Sequence, residues 1–342
     1  MKKANIILSF AILIIAYNCK EQPQEITIEN EIEEIAASEP QIQYTLTTEQ
    51  THNKFSNTIE PVLTVQSGAV IEAFTEEASD GQFNLNSTIE ALDSLDFEPI
   101  HPLTGPVYVE DAQPGDVLKV TLHKIELGDW GWNAILPGFG FLVDDIDVKY
   151  LKLYELGKDK TSVTFKDDIK LQLNPFPGVM GVAPDTNELL STIPPRANGG
   201  NMDDPNMNEG TVMYFPVFVE GGLFSIGDGH AVQGLGEVCG TAIETPLRIV
   251  YEIELLKDKS IKEPQYETEE YYATTGFAPT LDEAAKKATL YMVNYLENEH
   301  GLATDEAYAL CSLAGDLQIA EVVDLPNMLV TMHISKSVLN LE

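Results

Sequence analysis

IPPRANGGNMDDPNMNEGTVMYFPVFVEGGLFSIGDGHAVQGLGEVCGTAIETP, residues 193–246, is the stretch on which the reading of this chain turns. It sets Arg196, Asn198, Asn201, Asp203, Asp228, His230, Gln233, Glu237 and Cys239 among ten glycines. A fold seldom needs that mixture only to hold itself up, so a site is expected here. The glycines of GGLFSIGDGHAVQGLGEVCG interrupt the alternation a strand would show, which predicts Asp228 and His230 on a tight loop between two strands. Asp228, His230, Gln233 and Glu237 fall within ten positions and offer carboxylate and imidazole ligands for zinc or another divalent metal. The spacing matches neither HExxH nor paired CxxC. Without the metal, Asp228 would cap a turn and His230 would be a satisfied, half-buried histidine.

Four segments, NPFPGVMGVAP (174–184), PRANGGNMD (195–203), YFPVFVEGGLFSIGDGHAVQGLGEVCGTAIE (214–244) and GPVYVEDAQPGDVL (105–118), resemble the acetamidase/formamidase family. The resemblance covers about residues 44–336. It implies hydrolysis of a small carboxamide to its acid and ammonia. Such a site must polarise the amide oxygen, activate a nucleophile and protonate the leaving nitrogen, and a divalent metal, zinc, can supply the first and lower the pKa of water. On this reading Asp228, His230 and His101 hold the metal, and Glu237 is base or further ligand. Glu237, Asp203 and Gln233 form the catalytic set, and Asn198, Asn201 and Gly229 meet the substrate. Cys239 is the alternative nucleophile, although VCGTAI reads as an apolar strand and a thiolate wants nearby positive charge. A binding protein without activity, or an enzyme for a larger or cyclic amide, are the other readings.

The chain opens with MKKANIILSFAILIIAYNCK, where two lysines precede an apolar run and Cys19. This reads as a lipoprotein-type signal peptide over 1–18, with Cys19 the lipidation site and Asn18 a departure from the usual small residue. Residues 19–43 are a glutamate-rich linker. The expected location is the bacterial cell envelope, with the membrane met through the lipid anchor alone. The full chain carries 55 acidic and 20 basic residues, a formal charge of −35, which excludes nucleic acid as a partner. A homo-oligomer is the expected assembly, although no heptad or symmetric motif encodes it. Cys239 and Cys311 are available for one disulfide.

The domain over 44–342 is expected to be mainly β, with antiparallel sheets in a sandwich or barrel-like arrangement and a small α+β part over 264–342. Val62–Val65 and Ala69–Phe74 flank Gln66-Ser67-Gly68 and read as a hairpin. Glu76, Glu77 and Asp80 read as solvated loop charges. Val107–Val109 and Val117–Leu122 are strands about a Pro-Gly-Asp turn, with Asp116 a turn residue. His101 sits on a loop that can face a pocket. WGWNAILPGFGFL (130–142) reads either as the apolar wall of a pocket or as a core crossover, and 174–184 as irregular backbone fixed by proline and glycine. A helix is predicted over 281–299, capped by Thr280 with Glu283 three residues on, and a second over 304–314.

Overall fold

The structure, a computed structural model, describes residues 40–340. A nine-stranded sheet runs in the order Tyr44–Leu46, Ala69–Thr75, Leu247–Leu256, Val117–Leu127, Val212–Pro216, Gln265–Glu267, Tyr271–Ala278, Met328–Ser335, Gly315–Glu321. A second sheet has six strands. Gly199–Asn201, Phe176–Gly181, Phe224–His230, Leu103–Val109 and Thr51–His52 follow one another, and Leu63–Val65 pairs with Leu103–Val109. The pairing is antiparallel except at Tyr44–Leu46 and Leu63–Val65. Leu118, Val120, Ile249 and Tyr251 of the first sheet share one core with Val107, Met180, Phe224 and Ile226 of the second, so the two sheets form a sandwich. The mainly β expectation holds. The C-terminal α+β part is also present, and its strands continue the nine-stranded sheet. The expected signal segment and Cys19 lie outside the described residues.

Two local expectations give way. Val62–Val65 and Ala69–Phe74 are not a hairpin, because Leu63–Val65 joins the six-stranded sheet and Ala69–Thr75 the nine-stranded one. Gly68, at φ 87°, turns the chain from one layer to the other. Residues 176–181 are a fully buried strand and not irregular backbone. The Asp116 expectation holds, since it accepts the Gln113 N–H at 2.8 Å within its turn. Strands at 150–155, 162–166 and 169–172 alternate with charged turns.

The first helix, α1 (Leu281–His300), begins where Thr280 Oγ1 accepts the Glu283 N–H and stops at Gly301, whose φ of 66° closes the cap. Ala284, Ala288, Met292, Val293 and Leu296 form its buried stripe, while Leu290 faces solvent. The second helix, α2 (Thr304–Ala314), packs Ala307 and Cys311 into one cluster with Ala288, Met292, Val293 and Leu296. Cys239 and Cys311 are both free thiols.

Candidate active site

The strand Phe224–His230 carries the centre of the site, and every residue of it is buried. This corrects the expected loop. A Cβ at Gly227 would lie 2.6 Å from the Pro102 carbonyl, and one at Gly229 2.3 Å from the Thr245 carbonyl. The glycines that break the alternation therefore admit the close approach of neighbouring backbone to the strand. Asp228 and His230 project from this strand across Phe176–Gly181, where a Cβ at Gly178 would fall 2.4 Å from Asp203 Oδ1 and 2.6 Å from Asp228 Oδ2.

His101, Asn201, Asp203, Asp228, His230, Glu237, Glu244 and Asp324 converge on one cavity of about 50 Å³. The rest of its lining includes apolar Leu95, Ile100, Trp132, Leu136, Phe139 and Ile193, so residues 130–142 supply pocket wall. His230 Nε2 stands 3.1 Å from Glu244 Oε2 and 3.4 Å from Asp228 Oδ2, and its Nδ1 is 3.8 Å from Asp203 Oδ1. His101 Nε2 lies 3.9 Å from Asp228 Oδ1. Asn201 Nδ2 donates to Asp324 Oδ2 at 2.5 Å. Asp324 is set by Glu321, whose Oε2 accepts the Asp324 N–H at 3.0 Å.

Three of these carboxylates stand on backbone that glycine would favour. Asp203, Asp228 and Glu237 have φ of 44°, 56° and 44°. Such positions cost about 1–3 kcal/mol each, and they persist where surrounding structure over-determines them. Their clustering is the pattern that functional centres show.

No lysine or arginine lines the cavity among the described residues. Burial and then Asp324 push Asp203 well above the usual carboxylate range; burial and then Asp203 do the same for Glu237. Glu244 is raised to about 7 by burial, against the field of His230. Burial alone would raise Asp228 too, but His101 and His230 outweigh it and bring it to about 2. Burial opposes protonation of His230, yet Glu244 and Asp228 hold its pKa well above the usual value, while burial lowers that of His101.

Several buried atoms here have no hydrogen-bond partner: both Asp203 oxygens, Asp228 Oδ1, His230 Nδ1, His101 Nδ1 and Asn201 Oδ1. A buried acceptor without a donor is costly, and a cation relieves it. Three groups have ligand atoms within 4.8 Å of one another: Asp203, Asp228 and His230; His230, Glu237 and Glu244; Asp203, Glu237 and Asp324. These oxygen and nitrogen donors suit a divalent cation.

Not every predicted site residue arrives. Asn198 donates to the Val182 carbonyl at 2.8 Å and does not line the cavity. Gly229 packs on Thr245, away from it. Gln233 lines a neighbouring cavity and holds the Asp203 carbonyl through Nε2 at 2.6 Å. Cys239 lies in a turn and not in an apolar strand, with Sγ near the Ala134 and Thr241 carbonyls and the Asn133 amide. Sequence reasoning missed Glu244 and Asp324. Glu244 sits at the end of the quoted resemblance, opposite His230 in an isolated bridge, but Asp324 comes from the distant strand connection and carries no local signal.

A family model described as Acetamidase/Formamidase family matches residues 39–191 and 186–341. A crystal structure of a predicted acetamidase/formamidase from Thermoanaerobacter tengcongensis superposes with TM-score 0.82 at 34% identity, over 87% of this chain and 97% of that one. The acetamidase of Mycolicibacterium smegmatis is 28% identical over 60% of this chain and 66% of its own length. The formamidase of Methylophilus methylotrophus is 25% identical over 83% of this chain and 88% of its own.

Proposed function

The chain belongs to the acetamidase/formamidase family, and from this and the site we propose that it hydrolyses the C–N bond of a small linear carboxamide to carboxylate and ammonia. The observation that carries the reading is the convergence of five carboxyl groups and two imidazoles on a cavity of about 50 Å³ that apolar residues also line. A space of that size admits a few atoms only.

We further propose that Asp203, Asp228 and His230, with His101 beside them, hold a zinc ion. When bound, it would polarise the amide oxygen and bring water toward a pKa of about 7. The residues do the rest. His230 is fixed by Asp228 and Glu244 at Nε2, which leaves Nδ1 turned to Asp203. Asn201 spends its Nδ2–H on Asp324, so its unpartnered Oδ1 is free to accept a substrate N–H. Glu244, held near 7, takes the proton that water gives up as its oxygen attacks the carbonyl carbon. Glu237, whose carboxyl burial and then Asp203 push well above the usual carboxylate range, serves as the acid that delivers a proton to nitrogen as the C–N bond breaks and ammonia leaves. The two carboxyls then re-equilibrate by one proton. Gln233 acts at one remove, through the Asp203 carbonyl.

The test is ammonia release from formamide, acetamide, propionamide and a γ-lactam by protein expressed from Lys20, with and without a chelator. Release that chelation abolishes and zinc restores is the expected result. Release untouched by thorough metal removal would transfer the chemistry to Cys239, and Cys239→Ser would then abolish it. Release from no amide would leave a binding protein. The lipid anchor at Cys19 is likewise our proposal, and the mass of the mature N-terminal peptide tests it.

A further inference from the structure

We propose that the Phe97 and Phe139 rings set the longest acyl group the site accepts; this rests on the amidase reading above. The cavity lining is part polar and part apolar. The unpartnered atoms of Asn201, Asp203 and Asp228 belong to its polar part, where the carboxamide group, with the proposed cation, finds its partners. The polar floor has no spare depth, since even a methyl at Gly178 would collide with Asp203 and Asp228. An acyl substituent must therefore point the other way, toward Leu95, Phe97, Leu136 and Phe139.

Phe97 and Phe139 stand in that part of the lining with ring centroids 6.4 Å apart and planes inclined by 59°. Phe97 is 44% exposed, which places it at the mouth and not in the core. Phe139 is seated on Gly240, where a Cβ would fall 2.3 Å from its ring, so the ring fills the room a side chain at 240 would take. Gly240 belongs to the same turn as Glu237, its N–H bonding the Glu237 carbonyl at 2.7 Å. The aromatic mouth is thus tied to the turn that carries a catalytic carboxyl. With about 50 Å³ between floor and mouth, a hydrogen or methyl on the carbonyl carbon fits and a longer chain meets the rings.

The experiment compares kcat/KM of the metal-loaded full chain for formamide, acetamide, propionamide and butyramide with that of Phe97→Ala, Phe139→Ala and Phe97→Trp. Each added methylene that a pocket accepts or refuses changes kcat/KM by about tenfold or more. Both alanine variants are expected to raise the butyramide-to-formamide ratio at least about tenfold. Phe97→Trp moves the acetamide-to-formamide ratio the other way. If an alanine variant melts early, Phe97→Leu or Phe139→Leu replaces it and must shift the ratio in the same direction. An unchanged ratio in variants that still release ammonia overturns the assignment and leaves the amidase reading standing. A wild-type protein that turns over none of the four amides overturns both.

Discussion

Gly178 contributes no side chain, and the polar centre is built into the space this leaves. Its carbonyl also accepts the Met202 and Asp203 N–H groups at 2.9 and 3.2 Å, so one residue both admits the Asp203 carboxylate and fixes the turn that presents it. Gly178→Ala is expected to push Asp203 and Asp228 off their positions. Misplacement of about 1 Å at a reacting centre can cost about 100-fold, so kcat/KM should fall by about that factor and zinc content with it. Steady-state kinetics beside metal analysis check this, and normal zinc content with normal kcat/KM would show the floor to be slack. At this scale the sequence was a partial guide. Asp203, Asp228, His230 and Glu237 were legible because polar residues among glycines stand out, whereas Glu244 and Asp324 read as ordinary strand-end acids. Gly178 was legible only as backbone freedom, and its real role is steric.

Glu77 shows how an element's neighbours change the meaning of a residue. In sequence it sits in an acidic loop and reads as solvated, yet it is wholly buried. Its carboxylate accepts from Ser79 N–H at 2.9 Å, Ser79 Oγ at 2.6 Å, Gly81 N–H at 2.7 Å and Trp132 Nε1 at 2.6 Å. Trp132 in turn forms pocket wall and exchanges backbone hydrogen bonds with Glu244. The loop thereby pins the strand Trp130–Ile135 behind the site. Glu77→Gln replaces one acceptor oxygen by a donor that faces donors, and leaving a buried group unmet costs about 1–3 kcal/mol. Denaturant unfolding should show a loss of that size, with KM for acetamide rising as the Trp132 wall loosens; a change below about 0.5 kcal/mol would show that the loop does not brace the strand. The same scale explains why α1 was legible and Phe224–His230 was not. The cap at Thr280 and the stripe from Ala284 to Leu296 are local signals. A glycine-rich strand closely approached by neighbouring backbone has no local signature that distinguishes it from a turn, and the separation of 63–65 from 69–75 into different sheets depends on partners far along the chain.

For the whole molecule, the sandwich was legible from short β-rich runs and Gly/Pro turns, while the burial of so many carboxyls together, Glu244 and Asp324 among them, was not. That gathering makes stability depend on pH in two opposed ways. His52, with ring nitrogens 2.7 Å from the Lys54 carbonyl and from Ser225 Oγ, is lowered by burial to about 4, and burial also lowers His333 to about 4. An unfolded histidine titrates near 6.5, so between pH 6.5 and 4 the unfolded chain binds protons that the folded chain refuses. Stability falls on acidification by about 3 kcal/mol for each. Asp203, Glu237, Glu244, Asp324 and Glu321 have the opposite sign. Their folded values are raised, Glu244 and Glu321 to about 7, so without metal their contribution is complete below the unfolded value and is lost as pH rises through the folded one. A bound cation requires its carboxylate ligands deprotonated and removes that loss. Zinc should therefore raise the melting temperature more at pH 7.5 than at pH 5.5, and taking the difference with and without zinc at each pH cancels the histidines. Differential scanning calorimetry on chelated and zinc-loaded protein measures both. A zinc-induced shift equal at the two pH values would mean that the buried carboxylates are not its ligands, and the cation would then have to be sought outside this cavity.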